Sequence, residues 1–251
     1  MRNDQFPQES VGTHQPERFI HDIDFLNYHF NHDKWGWFKN FTPEYAARLE
    51  DHFYRWVAGE WTVTETGAGT RAITPLVNGV LLVTNAAADD DLNEILTQNE
   101  SFKLVEAYPF YGSIRFKITD ATQSDFWFGL ITGVSYFGGP PDDAVIFSKQ
   151  DGDANLDVIT RLNAAQLLTD TTIDLVALTW YRLGIHWDGD ATVRFFVFRD
   201  ADMYCLAQVS HTTYICQDEE MRLGFGIRNG EAVAKALYVD YIKGANKLAI
   251  E

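Results

Sequence analysis

Residues 150 to 158, QDGDANLDV, set an oxygen-bearing side chain at every second position: Asp151, Asp153, Asn155 and Asp157. Oxygen ligands at that spacing are what the first half of a calcium loop uses. An EF-hand loop also needs Gly at its sixth position, for a sharp turn, and a bidentate Glu at its twelfth. Counted from Asp151, those positions hold Leu156 and Leu162. What remains is Gly and Asp between two apolar runs, AVIFSK (144–149) and NLDVITRL (155–162), which is the composition of a hairpin turn. A plain hairpin is the expectation, with a weak surface cation site as the alternative. HWDGDATVRFF (186–196) carries a second such turn at Asp188, Gly189 and Asp190.

Other arrangements that could do chemistry are incomplete. Glycoside hydrolysis needs two carboxylates roughly 5 to 10 Å apart across the scissile bond. The dense Glu-x-Asp-x-x-Glu pattern that would place them along one strand does not occur, and DDD (89–91) and DEE (218–220) are consecutive. Neighbours in an extended chain point to opposite faces, so these runs read as solvated turn charge. His29, His32 and Asp33 have no third ligand at fixed spacing, no Gly-x-Ser-x-Gly elbow is present, and GAGT (67–70) lacks the Lys of a phosphate loop. No catalytic residue, metal or cofactor is expected, and the chain reads as a non-enzyme. Trp127, Trp180 and Trp187 could stack on sugars, although core packing is the commoner fate of Trp in strand-like runs. Cys205 and Cys216 could bridge a hairpin but fit no zinc spacing, and buried free thiols are expected.

The elements that would position these residues are mostly strands. Residues 1–41 read as an extended N-terminal arm: a polar stretch with Pro7 and Pro16, then FLNYHFNHDKWGWFKNF (25–41), which holds seven aromatic residues with no regular period. Residues 42–59 read as a short helix or connector. Thr42 would be the N-cap and Pro43 the first helical residue, with Tyr45, Leu49, Phe53 and Trp56 forming one stripe that ends at Gly59. The ring-rich stretch 53–57 would alternatively form a first strand. From 60 to 251 short apolar or alternating runs are separated by turn residues: WTVTET, GVLLVT, SFKLVEA, YPFYGSIRFKITD, DFWFGLITGV, AVIFSK, NLDVITRL, WYRLGIHW, TVRFFVFR, MRLGFGIR and AKALYVDYIK. That many strands with almost no helix predicts an all-β, two-sheet antiparallel jelly-roll sandwich.

Composition bounds the function. A chain of 251 residues with 46% hydrophobic content can bury a sizeable core. Its 20 basic against 36 acidic residues, a net charge of -16, oppose a grip on nucleic acid or an anionic membrane. No run approaches the roughly 18 apolar residues of a membrane span, and the opening MRNDQFPQESVGTHQPERF lacks the apolar stretch of a secretion signal.

The segments WYRLGIHWDGDATVRFFVFRDADMYCLAQVS and MRLGFGIRNGEAVAKALYVDYIKG, together with WTVTETGAGTRAI, GVLLVTNAAADDD and SDFWFGLITG, resemble the concanavalin A-like, laminin-G-like β-sandwich. In particular they look like the version found in structural proteins of tailed-phage virions. The resemblance covers about residues 60 to 245, and departs where FRDADMY (198–204) replaces an Asp-Gly turn. It implies a bacteriophage capsid decoration (cement) protein. Such a protein would sit on the virion exterior after assembly in the host cytoplasm, contact the major capsid protein and form a homo-oligomer. Under that reading the partner-binding residues are Tyr28, Phe30, Trp35, Trp37, Phe38 and Phe41. The alternative is a lectin-like carbohydrate-binding module for attachment to a host or surface.

Overall fold

A computed structural model describes residues 46–76 and 79–247. Sixteen strands follow in chain order: β1 (Ala46–Asp51), β2 (Trp61–Thr66), β3 (Thr70–Ile73), β4 (Leu81–Thr84), β5 (Leu92–Thr97), β6 (Phe102–Lys103), β7 (Phe110–Ile118) and β8 (Ser124–Ile131) come first. The remainder are β9 (Ala144–Lys149), β10 (Asn155–Leu162), β11 (Ala165–Asp174), β12 (Tyr181–Trp187), β13 (Val193–Arg199), β14 (Tyr204–His211), β15 (Glu220–Asn229) and β16 (Ala236–Lys247).

They form two antiparallel sheets of eight strands each. The first runs β14-β13-β12-β7-β16-β4-β3, with β1 also paired to β16; the second runs β11-β10-β9-β8-β15-β5-β2, with β6 paired to β15. The expected all-β two-sheet sandwich is the observed fold.

Alternation explains the core. On β8, Phe126, Phe128 and Leu130 point between the sheets and join the main cluster, as do Phe147 on β9, Phe195 on β13 and Phe225 on β15. Phe116 of the first sheet stacks on Phe126 of the second with ring centroids 4.2 Å apart, and Phe147 meets Phe195 edge-on at 5.3 Å. Each such ring removed from water stabilises the sandwich by roughly 2 to 3 kcal/mol. Trp127 and Ile131 of β8 and Ala144 and Ile146 of β9, with Leu96 and Ile159, form a second, smaller cluster on the far face of the second sheet.

The expected helix at 42–59 is corrected. Residues 46–51 are strand β1, and the helical content there is a single 3-10 turn at Ala58–Glu60; residues 42–45 lie outside the described part. The strand arises because residues 242–247 of β16 offer a pairing edge, matched from Ala46–Lys247 to Asp51–Ile242. Six residues of ladder bonding and the Glu50–Lys243 ion pair at 3.5 Å outweigh a weak helical stripe. The alternative strand at 53–57 is not formed either: Asp51 accepts the Phe53 amide at 2.6 Å, turning the chain so that Phe53 packs fully buried against Trp61. The sheet thus begins before residue 60.

The turns have definite jobs. QDGDA joins β9 to β10, and Asp188 accepts the amides of Asp190, Ala191 and Thr192 in the turn from β12 to β13. GAGT carries the chain from β2 in the second sheet to β3 in the first. At Gly67, with φ of 77°, a Cβ would lie 2.5 Å from the Asp91 carboxylate. Asp91 itself is a correction to the reading of DDD as wholly solvated: it is buried and caps the Ala88 amide at 3.1 Å. Both cysteines are free thiols, Cys216 buried and Cys205 half-buried.

Candidate functional site

The far face of the second sheet carries a cavity lined by aromatic, charged and hydroxyl side chains. Its floor comes from alternate residues of β8, β9 and β15. Small residues are required there: a Cβ at Gly226 would lie 2.5 Å from the Trp127 indole nitrogen. Over this floor folds the loop between β8 and β9, residues 132–143, which contains SYFGGPP.

Glu94 of β5 fastens the loop. Its carboxylate is fully buried and accepts the Tyr136 amide at 2.7 Å, the Phe137 amide at 2.9 Å, the Trp127 Nε1–H at 2.9 Å and the Ser135 hydroxyl. Thr64 on β2 holds the loop from the other side by donating to the Val134 carbonyl at 2.8 Å. Tyr136 and Phe137 are thereby set side by side, ring centroids 5.9 Å apart, against the Trp127 cluster.

Beside these rings lies a cavity of about 420 Å³. Tyr136, Phe137 and Pro140 form one wall, Asp125 and Arg228 another, and Ser148, Lys149, Gln150 and Asp151 the end nearest the β9–β10 turn. Arg228 donates to Asp125 at 2.9 Å and lies over the Phe137 ring at 5.2 Å, while Asp125 also accepts the Asp151 amide at 3.0 Å. The Tyr136 hydroxyl is 3.4 Å from Ser148 Oγ, and burial pushes its pKa up, so it stays a neutral hydroxyl. Aromatic surface flanked by an ion pair, hydroxyls and an amide suits a small ligand with both apolar C–H faces and many hydroxyl groups.

The residues singled out in the sequence fall elsewhere. Tyr28, Phe30, Trp35, Trp37, Phe38 and Phe41 lie outside the described residues, as do His29, His32 and Asp33. Trp127 and Trp187 are fully buried; Trp127 reaches Glu94, and Trp187 donates to the Val105 carbonyl at 3.1 Å. Neither can serve as a sugar platform. Trp180 is partly exposed, with the Arg115 guanidinium 4.2 Å and the Lys117 ammonium 5.0 Å from its ring. The turn after Lys149 is the expected link between β9 and β10, and its Gln150 and Asp151 border the cavity. Sequence reasoning missed Glu94, Tyr136, Phe137 and Arg228; the available signal was the stretch VSYFGGPPDD, aromatic and turn-rich, standing between two clear strands.

No protein-family model and no curated protein sequence matches the chain. Solved structures do. A protein of unknown function from Shewanella oneidensis MR-1 superposes with a TM-score of 0.61 at 14% identity, covering 96% of this chain and 97% of that one. Arcelin-5, a lectin-like defense protein from Phaseolus vulgaris, gives 0.59 at 12% identity over 81% of this chain and 99% of its own. An endo-1,3-beta-glucanase from Streptomyces sioyaensis gives 0.58 at 12% identity, covering 83% and 99%. With its two eight-stranded antiparallel sheets and these neighbours, the chain has the concanavalin A-like lectin/glucanase β-sandwich fold.

Proposed function

We propose that the domain is a non-hydrolytic recognition module that binds a short saccharide in the cavity beneath loop 132–143. The observation that carries this reading is the pairing of the Tyr136 and Phe137 rings with Arg228, Asp125 and Ser148 around 420 Å³, a volume in the range of small-ligand sites. Lectin-like neighbours support it at the level of fold alone.

Glu94 argues against hydrolysis on this face. A carboxylate has about four acceptor positions, and four donors already occupy this one. Three of these donors crowd Oε1 and the Ser135 hydroxyl takes Oε2, and the side chain is fully buried, so it is not presented to a leaving-group oxygen or an attacking water. Asp125 is likewise committed to Arg228 and the Asp151 amide.

Glycan-array screening followed by calorimetric titration tests the proposal. A saturable ligand whose affinity falls at least about tenfold in Phe137→Ala, with unchanged circular dichroism, is expected. A tenfold loss is about 1.4 kcal/mol, a modest share of one ring contact. Failure of every glycan to saturate at millimolar concentration would remove the saccharide reading.

A second reading rests on the seven aromatic residues at 25–41. They suit an arm that lies across a neighbouring subunit, as a capsid decoration protein would use to hold the major capsid protein on a virion exterior, working as a homo-oligomer. Co-sedimentation with phage particles, with and without residues 1–41, distinguishes the two. Stoichiometric binding that needs the arm supports decoration, and binding that persists without it, or never occurs, opposes it.

A further inference from the structure

Lys149 ends β9 with a side chain in a residue only 1% exposed. Its ammonium donates to three backbone carbonyls: Gln150 at 3.0 Å, Thr122 at 3.3 Å and Ser124. An ammonium has three donors, so all are used. Burial pulls its pKa down to about 8, opposed by Asp125, Asp151, Asp120 and Asp153 around it, which leaves it charged at neutral pH.

Carbonyl oxygens around the charge and carboxylates farther out are how a protein holds a bare cation. Two loops from different parts of the chain meet here. The Gly152 amide donates to the Thr122 carbonyl at 2.9 Å, the Asp151 amide donates to the Asp125 carboxylate, and the Asp120 carboxylate accepts the Thr122 and Gln123 amides at 2.9 Å each. Among the described residues no three His, Cys, Asp or Glu side chains converge on a metal position. The inner shell is therefore one of neutral carbonyls, which suits a singly charged ion better than calcium.

We infer that segments 120–124 and 150–153 form a monovalent-cation site whose resident ion is the chain's own Lys149 ammonium. The acidity of the QDGDA turn then has a role: it balances an internal ammonium. Removing that ion leaves three carbonyls without their shared donor and takes a nearby positive charge from Asp151 and Asp153, while Asp125 stays paired to Arg228 and Asp120 to Lys235, and the vacated position takes a small alkylammonium ion.

The test compares thermal unfolding of the full chain with Lys149→Ala and Lys149→Met. Both variants should lose about 5 °C or more in Tm, since each kcal/mol moves a domain of this size by about 2 to 4 °C. Ethylammonium chloride should restore Lys149→Ala in a saturable manner beyond any effect of matched sodium chloride. It should not restore Lys149→Met, whose methyl end fills the position. A Tm of Lys149→Ala within about 1 °C of the parent, or equal responses of all three proteins to ethylammonium, overturns the inference. Should the variants fail to fold, the parent protein labelled with ¹⁵N-lysine decides. One ammonium signal protected from solvent exchange is expected, and exchange as fast as that of the exposed lysines overturns it.

Discussion

His211 shows how one side chain can couple the two sheets. It stands on β14 of the first sheet, buried, and its ring nitrogens lie 2.9 Å from Thr160 and 3.0 Å from Thr169, both on the second sheet. Burial holds its pKa down, from the ordinary 6.5 to about 4. The unfolded chain thus binds a proton that the folded chain refuses between those values. The stability involved is fully present above pH 6.5 and is lost as pH falls towards 4. The loss reaches up to about 3 kcal/mol. Urea unfolding at several pH values should show a steeper decline between 6.5 and 4 for the parent than for His211→Gln; parallel curves would contradict the assignment. At this scale the sequence was least informative. Trp127 and Trp187 looked like possible sugar platforms because composition cannot say which face a residue takes, and the indole partners, Glu94 and the Val105 carbonyl, come from 33 and 82 positions away.

Among the elements, loop 132–143 depends on a single anion. Glu94→Gln keeps the size and can keep a carbonyl oxygen towards the three N–H donors, with its NH₂ towards the Ser135 oxygen, but removes the negative charge that strengthens those bonds. A cost of about 2 to 3 kcal/mol is expected from losing charge-assisted bonds in a buried place. Hydrogen exchange should quicken at 133–141 while β8 and β9 stay protected; unchanged protection in the loop would show that Thr64 and the rings suffice to hold it. The same substitution should weaken any saccharide bound beneath the loop. β7 and β10 were legible from an alternation that largely follows burial on one face, and β8 and β13 from continuous apolar runs of strand length. The stretch 46–51 was misread because its helical stripe is a local signal, whereas the strand exists through a partner some 190 residues away in β16. The loop over the cavity was invisible for the same reason: nothing near SYFGGPP in the sequence announces Glu94.

For the molecule as a whole, a net charge of -16 over 251 residues means self-repulsion at low ionic strength. Moving from about 10 mM to 150 mM sodium chloride shortens the Debye length from about 30 Å to 8 Å. The expected result is a Tm higher by a few degrees, read by scanning calorimetry; a fall would mean that ion pairs such as Arg115–Asp200 and Arg182–Asp200 outweigh the repulsion. Fold class was readable at this scale, since a count of short apolar runs and the scarcity of helical periods need no knowledge of pairing. Sheet order was not.

That order places the two latest strands in the middle. β15 lies between β8 and β5, and β16 lies between β7 and both β4 and β1. On a ribosome, more than two hundred residues would therefore emerge before either sheet could close, with β8 and β7 each waiting for a neighbour. Such distant closures make folding slow, on the millisecond-to-second scale typical of sandwiches, and leave apolar strand edges uncovered in the meantime. A nascent chain stalled before residue 220 would be a client for chaperones, and the emergence of β15 and β16 would be the step that ends its dependence on them.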